Sequence, residues 1–305
     1  MTEIRPVIAI TTGDPAGIGP EIVAKAVRDP RVVLACQPVI FGPHTDADLA
    51  AFPAGRVTAA SGRAAYDTIV EAVSAVRERR AAALVTAPIN KEALSAAGLE
   101  WKGHTDLLAH LCGVPQGVAM MFWSERLRVV LATVHIALRD VPSALTESRV
   151  LDTIRVTARS LPQFGIEKPR IGVAGLNPHA GEHGLFGRED EDVIRPAVAR
   201  AAAEGIAVSG PFPADTLFVR AARGEFDVVI AAYHDQGLVP VKLLAFGRAV
   251  NVTLGLPIVR TSVDHGTAFD IAGKGVADPE SMIAAVLLAA RLALARGPER
   301  PALRP

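Results

Sequence analysis

Short apolar runs rich in β-branched residues alternate with helical segments along most of this chain. The first run, Val7 to Thr11, is followed by a Gly/Pro turn and then by Ile22, Ala26 and Val27 on one helical face. The same order of strand and helix recurs further along, which favours parallel βαβ units. The pattern therefore predicts an α/β fold before any single residue is considered.

Three histidines, His135, His179 and His234, each follow a predicted strand and lie in or just before a turn. The carboxyl ends of strands are where open α/β sheets bind ligands. Three neutral imidazoles with a carboxylate or a water suit a divalent ion, zinc most naturally. A single strand-end histidine is more often structural, but three in equivalent positions favour a metal site. The candidate carboxylates are Asp215 and Asp235.

Three further polar side chains, Lys242, Asn251 and Arg260, occupy apolar segments where a hydrophobic residue would pack better. We expect Lys242 among apolar strand residues, Asn251 at the head of one strand and Arg260 at the end of the next. Beside a metal they suggest a small anionic substrate, with Lys and Arg holding phosphate or carboxylate. Lys242 and Arg260 could instead be surface charges with buried stems.

Two glycine-rich segments are candidates for phosphate or nucleotide binding. Gly17 to Ile22 forms a turn before a helix but lacks the third glycine of the dinucleotide fingerprint and the Walker lysine. Asp264 to Gly275 is dense in turns and could wrap a dinucleotide with backbone groups. Neither segment predicts a Rossmann site.

The segment Gly103-His104-Thr105-Asp106 precedes a helical run, so Thr105 or Asp106 could serve as a helix N-cap. That interpretation leaves His104 unexplained. A further Gly/Pro segment, Gly210 to Thr216, is expected to be a stiff loop.

The overall composition and charge exclude several classes of function. The 305 residues carry 32 basic and 32 acidic side chains, so the totals show no nucleic-acid footprint and no polybasic membrane patch. The N-terminus does not resemble a signal peptide, and the apolar stretch Met282 to Leu294 falls short of the roughly 20 residues that span a bilayer. We expect a soluble, cytoplasmic protein with a small-molecule partner, no nucleic acid and no membrane. At about 150 residues per domain, the length suggests two domains or one large unit.

Several segments resemble the 4-hydroxythreonine-4-phosphate dehydrogenase (PdxA) family, and the likeness covers almost the whole chain. In chain order they are TTGDPAGIGPEI from Thr11, TAPINKEAL from Thr86, GHTDLLA from Gly103, NPHAGE from Asn177, GPFPADTLF from Gly210, YHDQGL from Tyr233 and the run from Asn251 to Gly273. By position, the resemblance implies divalent-metal ligands at His135, His179 and His234. It implies substrate contacts at His104, Thr105, Lys242, Asn251 and Arg260.

Two segments, Gly17 to Glu21 and His265 to Gly275, are more distantly similar to segments of the isopropylmalate and isocitrate dehydrogenases. In those enzymes the second segment wraps the adenosine end of NAD or NADP. This similarity implies a three-layer α/β/α fold with two interleaved domains and a cleft between them. Residues 1–130 plus 245–305 would form a dinucleotide-binding domain with both termini, and residues 131–244 a metal-binding and dimerisation domain. A homodimer would complete each site. The implied cofactor contacts are Gly13, Asp14, His265, Gly266 and Asp270.

The implied reaction is NAD(P)-dependent oxidation of the 3-hydroxyl of 4-phosphohydroxy-L-threonine, with zinc, magnesium or cobalt, in pyridoxal 5'-phosphate biosynthesis. Decarboxylation would follow and yield 3-amino-2-oxopropyl phosphate. Lys242 and Asp235 are the candidate catalytic residues.

Three alternatives stay open. The first is a paralogous dehydrogenase of D-threonate or D-erythronate 4-phosphate. The second is a dehydrogenase of a cyclic dihydrodiol dicarboxylate, which His104 and Thr105 disfavour. The third is a non-enzymatic ligand sensor, which the intact segment Asp264 to Gly275 disfavours.

Overall fold

A computed structural model of the chain describes residues 5–101, 103–114 and 117–296. These residues form ten strands, in chain order β1 (Val7–Thr11), β2 (Gln37–Phe41), β3 (Ala83–Thr86), β4 (Ala119–Trp123), β5 (Arg128–Leu131), β6 (Ile171–Ala174), β7 (Val208–Phe212), β8 (Val228–Ala231), β9 (Val250–Leu254) and β10 (Arg260–Ser262).

Helices alternate with these strands. They are α1 (Gly19–Ala26), α2 (Pro30–Ala35), α3 (Asp46–Leu49), α4 (Ala59–Arg77), α5 (Lys91–Ala96), α6 (His104–Leu111), α7 (Val141–Ala144), α8 (Glu147–Ser160), α9 (Arg195–Ala203), α10 (Ala214–Ala222), α11 (His234–Ala245) and α12 (Glu280–Arg296). Short 3₁₀ turns occur at Leu138–Asp140 and Leu161–Phe164, and a π-helical turn, Asp190–Ile194, leads into α9.

Local capping chemistry sets where several helices begin. The hydroxyl of Thr58 accepts a hydrogen bond from the Ser61 N–H at the start of α4, and Thr146 does the same for Arg149 at the start of α8. Such a cap replaces one missing hydrogen bond partner of the first turn and is worth about 1 kcal/mol. These starts are therefore encoded within a few residues.

Residue contacts divide the chain into two units. The first comprises Met1–Gln116 and Val250–Pro305, and its strand order is β2-β1-β3-β10-β9. In this order β2, β1, β3 and β10 are parallel to one another, and β9 is antiparallel to β10. Both α4 and α12 pack on β1 and β3, and every residue of β3 is buried, as in a parallel sheet covered on both faces. The predicted domain boundaries after residues 130 and 244 stay a prediction.

The second unit comprises Gly117–Ala249, with the strand order β4-β5-β8-β6-β7. Here β5, β8, β6 and β7 are parallel, and β4 is antiparallel to β5. Its buried core includes Phe122, Val129, Leu217, Val229 and Val241. Both units thus consist of a mixed sheet with flanking helices, which confirms the α/β prediction.

Three local expectations were wrong. The segment predicted to be a loop from Gly210 begins inside β7, which is an edge strand because it comes last in the strand order. A proline is tolerated there because an edge strand has a hydrogen-bonded neighbour on one side only. Lys242 lies on α11 rather than among strands, since an apolar run without a clear period does not distinguish helix from strand. Arg260 begins β10 instead of ending a strand.

No helix in the described ranges combines the length and the hydrophobicity needed to cross a membrane.

Candidate active site

The three predicted metal histidines follow three neighbouring strands of the second unit. His135 comes after β5, His234 is the first residue of α11 after β8, and His179 comes after β6. Because β5, β8 and β6 are adjacent and parallel, their carboxyl ends lie at the same edge of the sheet. The topology therefore delivers all three histidines to one edge.

Two of these side chains form a close pair. The ring centres of His135 and His234 are 5.5 Å apart, and both line a cavity of about 210 Å³ together with Thr133, Tyr233 and Asp235. Two imidazoles that share an ion through nitrogens at about 2.1 Å have ring centres about 5 Å apart. The spacing of this pair and its nitrogen donors therefore fit a divalent cation.

Asp235 orients one member of the pair. Its Oδ1 lies 2.7 Å from Nδ1 of His234. An ionised carboxylate only accepts hydrogen bonds, so Nδ1 is the donor, and in the neutral ring the lone pair that binds a cation is then on Nε2. The side chain predicted to be catalytic thus has a visible role in setting the tautomer of His234. Asp215, the other candidate carboxylate, lies in the first turn of α10.

His179 lies in an unusual backbone segment. Five consecutive residues, His179–His183, have φ between 41° and 79°, and we call them the left-handed turn. Four of the five are not glycine, and each such residue costs about 1–2 kcal/mol relative to the right-handed form. Clusters of this kind persist only where surrounding contacts enforce them, and they concentrate at functional sites.

The third histidine does not join the pair within one chain. His179 is exposed, and its ring centre lies 6.1 Å from that of Phe186. In the ranges that the structure describes, no group of three His, Cys, Asp or Glu side chains is placed to hold a metal ion. The convergence of all three histidines on one ion therefore stays a prediction.

Gln236 connects two of the strand ends, a role that sequence reasoning missed. Its Oε1 accepts a hydrogen bond from the Ala232 N–H at 2.7 Å, and its Nε2 donates to the Gly175 carbonyl at 2.7 Å. The Thr133 hydroxyl adds a bond to the Ala232 carbonyl, also at 2.7 Å. The segments that follow β5, β8 and β6 are thus hydrogen bonded to one another. The only sequence signal was an amide side chain in the polar segment His234 to Gly237, a few residues after the end of β8.

Arg260 is the most unusual side chain of the first unit. It is only 2% exposed, and within the described part of the chain no carboxylate forms an ion pair with it. Its Nε and Nη2 donate to the Thr86 hydroxyl at 3.2 and 2.7 Å, and Nη1 donates to the Thr253 hydroxyl at 2.9 Å. Burial lowers the pKa of Arg260 to about 9. A buried cation held only by neutral hydroxyls lacks a counter-charge.

Polar side chains around Arg260 also lack partners. Asn251 is paired in register with Ser262, which is in turn paired with Thr86, so the three lie side by side across β9, β10 and β3. Among the described residues, neither Oδ1 of Asn251 nor Nε2 of His104 has a hydrogen bond partner, although both atoms are buried. Unpaired buried polar atoms are rare and call for a ligand or an ordered water.

His104 is neutral in this environment. The residue as a whole is partly accessible, but enclosure of the ring and, secondarily, the charge of Arg260 hold the pKa of His104 well below its usual range. The prediction that Thr105 or Asp106 caps the following helix was wrong, because α6 begins at His104 with Gly103 as N-cap. Thr105 lies in the first turn.

The predicted substrate residues are divided between the units. His104, Thr105, Asn251 and Arg260 belong to the first unit, and Lys242 belongs to the second, where it is exposed on α11.

The predicted nucleotide loop, Asp264 to Gly275, lies in an irregular segment between β10 and α12 and is attached to α1. The Ile18 N–H donates to the Thr267 carbonyl at 3.0 Å. Further along, Lys25 Nζ donates to the carbonyls of Gly275 and Ala277 at 3.0 and 2.7 Å. These contacts hold both ends of the loop against the same helix.

His265, Gly266 and Asp270 are exposed on this loop, as residues that contact a ligand would be. Gly13 and Asp14 are buried instead. A Cβ on Gly13 would lie 2.1 Å from the Pro88 carbonyl oxygen, and Asp14 Oδ1 accepts the Ala16 N–H at 2.9 Å. Both shape the turn after β1, and burial raises the pKa of Asp14. All five cofactor contacts stay predictions.

Comparison with known proteins gives consistent matches. The family model described as pyridoxal phosphate biosynthetic protein PdxA matches residues 23–289. A 4-hydroxythreonine-4-phosphate dehydrogenase of Desulforapulum autotrophicum is 45% identical, over 98% of this chain and 99% of its own. A D-threonate 4-phosphate dehydrogenase of Cupriavidus necator is 44% identical, over 97% of this chain and 100% of its own.

Among solved structures, 4-hydroxythreonine-4-phosphate dehydrogenase from Klebsiella pneumoniae matches with a TM-score of 0.87 and 40% identity, over 96% of this chain and 99% of its own. A family model that spans most of the chain and relatives aligned over nearly their full length agree with the motifs described above. The chain belongs to the PdxA family.

Proposed function

We propose that this protein is an NAD(P)-dependent and divalent-metal-dependent 4-hydroxythreonine-4-phosphate dehydrogenase. It oxidises the 3-hydroxyl of 4-phosphohydroxy-L-threonine and decarboxylates the product to 3-amino-2-oxopropyl phosphate, in pyridoxal 5'-phosphate biosynthesis. The observation that carries the proposal is the buried Arg260, which lacks a counter-charge among the described residues. Membership of the PdxA family supports the reaction.

The first unit supplies the anion site. Arg260 has five N–H donors, and the two threonine hydroxyls engage three of them, so two remain for the oxygens of a phosphate or carboxylate. Neutral His104 carries one ring proton, and its enclosed Nε2 is placed to bond a polar group of the substrate. The Oδ1 of Asn251 accepts a hydrogen bond from a hydroxyl or ammonium group. Thr105 adds a hydroxyl at the start of α6.

The second unit supplies the metal ligands. His135 and His234 have the spacing of two ligands of one ion, with His179 as the third, and the ion is zinc, magnesium or cobalt. When bound, a divalent cation supplies Lewis acidity that lowers the pKa of the substrate hydroxyl and favours both oxidation and decarboxylation. Asp235 keeps Nε2 of His234 available for that cation.

The proton and the hydride leave separately. Lys242 on α11 is our candidate for the base that would take the proton from the hydroxyl oxygen, and a bound nicotinamide would supply the acceptor for the hydride from the carbon that carries this hydroxyl. The carboxylate carbon then leaves as carbon dioxide, and its bonding electrons stay on the neighbouring carbon, which takes up a proton. The loop Asp264 to Gly275, with His265, Gly266 and Asp270, would bind the nucleotide, together with Gly13 and Asp14 in the turn after β1.

A homodimer completes the site in this proposal. Large apolar side chains are exposed on α11 and directly after it: Val239 and Leu243 on the helix are 65% and 83% exposed, and Phe246, the residue that follows it, is 82% exposed. An apolar stripe on the helix that begins at His234 suits burial against a second copy. Since His179 does not join the His135–His234 pair within one chain, the third ligand can come from the partner.

Subunit mixing tests the shared site. Two inactive variants, His179→Ala and His135→Ala, are mixed under conditions that exchange subunits, and activity is measured. Partial recovery supports ligands from both subunits, because some mixed dimers then contain one intact site. Zero recovery despite demonstrated exchange places all three ligands on one chain, and a fully active monomer removes the dimer from the mechanism.

One assay tests the reaction and the alternative substrate. Relatives named for 4-hydroxythreonine 4-phosphate and for D-threonate 4-phosphate match at nearly equal identity, whereas the family model favours the former. We expect kcat/KM to be larger with 4-phosphohydroxy-L-threonine than with D-threonate or D-erythronate 4-phosphate, with NAD or NADP. Chelation should abolish turnover, and added zinc, cobalt or magnesium should restore it. Full activity after exhaustive chelation, or a preference for the sugar acids, would contradict the proposal.

A further inference from the structure

We propose that Asp190 is a positioning residue for His179. Its buried carboxylate holds the left-handed turn and so determines the direction in which His179 presents its imidazole to a divalent cation. This inference rests on the proposed function, in which His179 is a metal ligand.

The left-handed turn needs support from outside itself. Three backbone bonds at its two ends close the turn: the Ala180 N–H donates to the Asn177 carbonyl at 3.0 Å, and the Leu185 and Phe186 N–H groups donate to the Glu182 and Gly181 carbonyls, both at 3.2 Å. Only Gly181 among its five residues adopts a positive φ without steric penalty. A backbone in this state persists when its surroundings determine it.

Asp190 provides that support through hydrogen bonds. It is fully buried, its Oδ1 accepts the Leu176 N–H at 2.9 Å, and its Oδ2 accepts the Asn177 N–H and Nδ2 at 3.1 and 3.0 Å. An ionised carboxylate only accepts, so it suits three converging N–H donors. These donors lie between the end of β6 and the turn. Asp190 therefore determines where the chain leaves the strand and turns.

Close packing leaves little room for the turn to tilt. A Cβ on Gly175 would lie 2.7 Å from Asp190 Oδ1 and 2.8 Å from the Ala180 Cα. A Cβ on Gly181 would lie 3.2 Å from the Cβ of Asp190. Gly175 and Gly181, on either side of His179, thus both lie close to Asp190. This packing restricts the position of the backbone at both ends of the segment that carries His179.

The decisive comparison is zinc binding to the folded, full-length protein. Asp190→Asn preserves the side-chain volume but replaces one acceptor oxygen with an NH2 that opposes an N–H donor. We expect zinc affinity, measured by competition with a chromophoric chelator, to fall by about 10- to 100-fold, the usual effect of losing a residue that orients a ligand.

Two control variants separate positioning from stability. Asp192→Asn alters an exposed carboxylate on the same segment that pairs with Arg188, and zinc affinity should be unchanged. Ile154→Ala removes a fully buried side chain of α8, so it should lower the melting temperature but leave the zinc affinity of the folded protein intact.

Each outcome distinguishes the inference from the proposed function. If wild type binds zinc and Asp190→Asn binds it equally well, Asp190 does not position His179, while the proposed function stands. If wild type itself does not bind zinc, the metal role and this inference both fail. Should Asp190→Asn not fold, Asn177→Ala decides, because it removes the amide that donates to Asp190 Oδ2 and to Glu189 Oε2 and leaves the carboxylate of Asp190 in place. Unchanged zinc affinity in that variant would overturn the inference.

Discussion

Replacing Arg260 with methionine should stabilise the ligand-free protein and impair substrate binding. The guanidinium is buried among neutral hydroxyls, so its positive charge is not compensated until an anion binds. Methionine is unbranched, apolar and adaptable, and it fills much of the same volume. The variant therefore separates the role of Arg260 in the fold from its role in binding.

The magnitude follows from the pKa of Arg260, which burial lowers to about 9. Each tenfold change in proton affinity is worth about 1.4 kcal/mol, so keeping this side chain charged costs at most about 4–5 kcal/mol. Against this, methionine loses three hydrogen bonds to Thr86 and Thr253, worth about 1 kcal/mol each. The free energy of unfolding should therefore rise by about 1–2 kcal/mol. Replacing buried charged groups by apolar side chains has effects of this size in other proteins.

The pH dependence has a definite sign. Above about pH 9 the native state releases the Arg260 proton, whereas the unfolded chain still holds it. Wild-type stability therefore rises with pH relative to the variant, by up to about 1.4 kcal/mol per pH unit. The advantage of Arg260→Met should be constant between pH 6 and 8 and shrink as the pH rises beyond 9.

Urea unfolding between pH 6 and about pH 10 measures the difference in the free energy of unfolding between wild type and Arg260→Met. Arg223→Met, at an exposed position, is the matched control. In the same preparation, KM for 4-phosphohydroxy-L-threonine should rise about 10- to 100-fold, because a charge-assisted contact is worth about 1.5–3 kcal/mol. A destabilised variant without pH dependence would show that the charge is already compensated. An unchanged KM would refute the anion site itself.

Three further substitutions test other parts of the structure. Below about pH 6.5 the unfolded chain binds a proton at His104, whereas the buried ring in the folded protein stays neutral, so the wild-type free energy of unfolding should fall with pH. His104→Gln should remove this decrease, which urea unfolding at pH 7 and 5.5 measures. Gly17→Ala places a Cβ 2.9 Å from the Thr267 carbonyl oxygen, so steady-state kinetics should show a raised KM for NAD(P) and an unchanged KM for the substrate. Gly62→Ala places a Cβ 2.0 Å from the Ala93 carbonyl oxygen and should lower the free energy of unfolding by about 1–3 kcal/mol or more; a stability within 0.5 kcal/mol of wild type would contradict that packing.

The strands could be predicted because their signals are local. β1 begins and ends where the apolar run Val7 to Thr11 indicated, since a short run between turn residues needs no distant information. The positions of His135, His179 and His234 after strands were equally readable. Lys242 was misplaced because Pro240 and several apolar neighbours give α11 no clear helical period.

By itself, the sequence determined the α/β class, the family and the residue types of the candidate site, because these depend on patterns within short segments. Only the tertiary structure decided that β8 lies between β5 and β6, and that Gln236 bonds a carbonyl 61 residues away. It also decided that Arg260 is buried against Thr86, 174 residues earlier, and that Asp190 holds the left-handed turn. Such roles arise from contacts between distant segments, and burial, pairing and charge compensation exist only once the chain has brought those segments together.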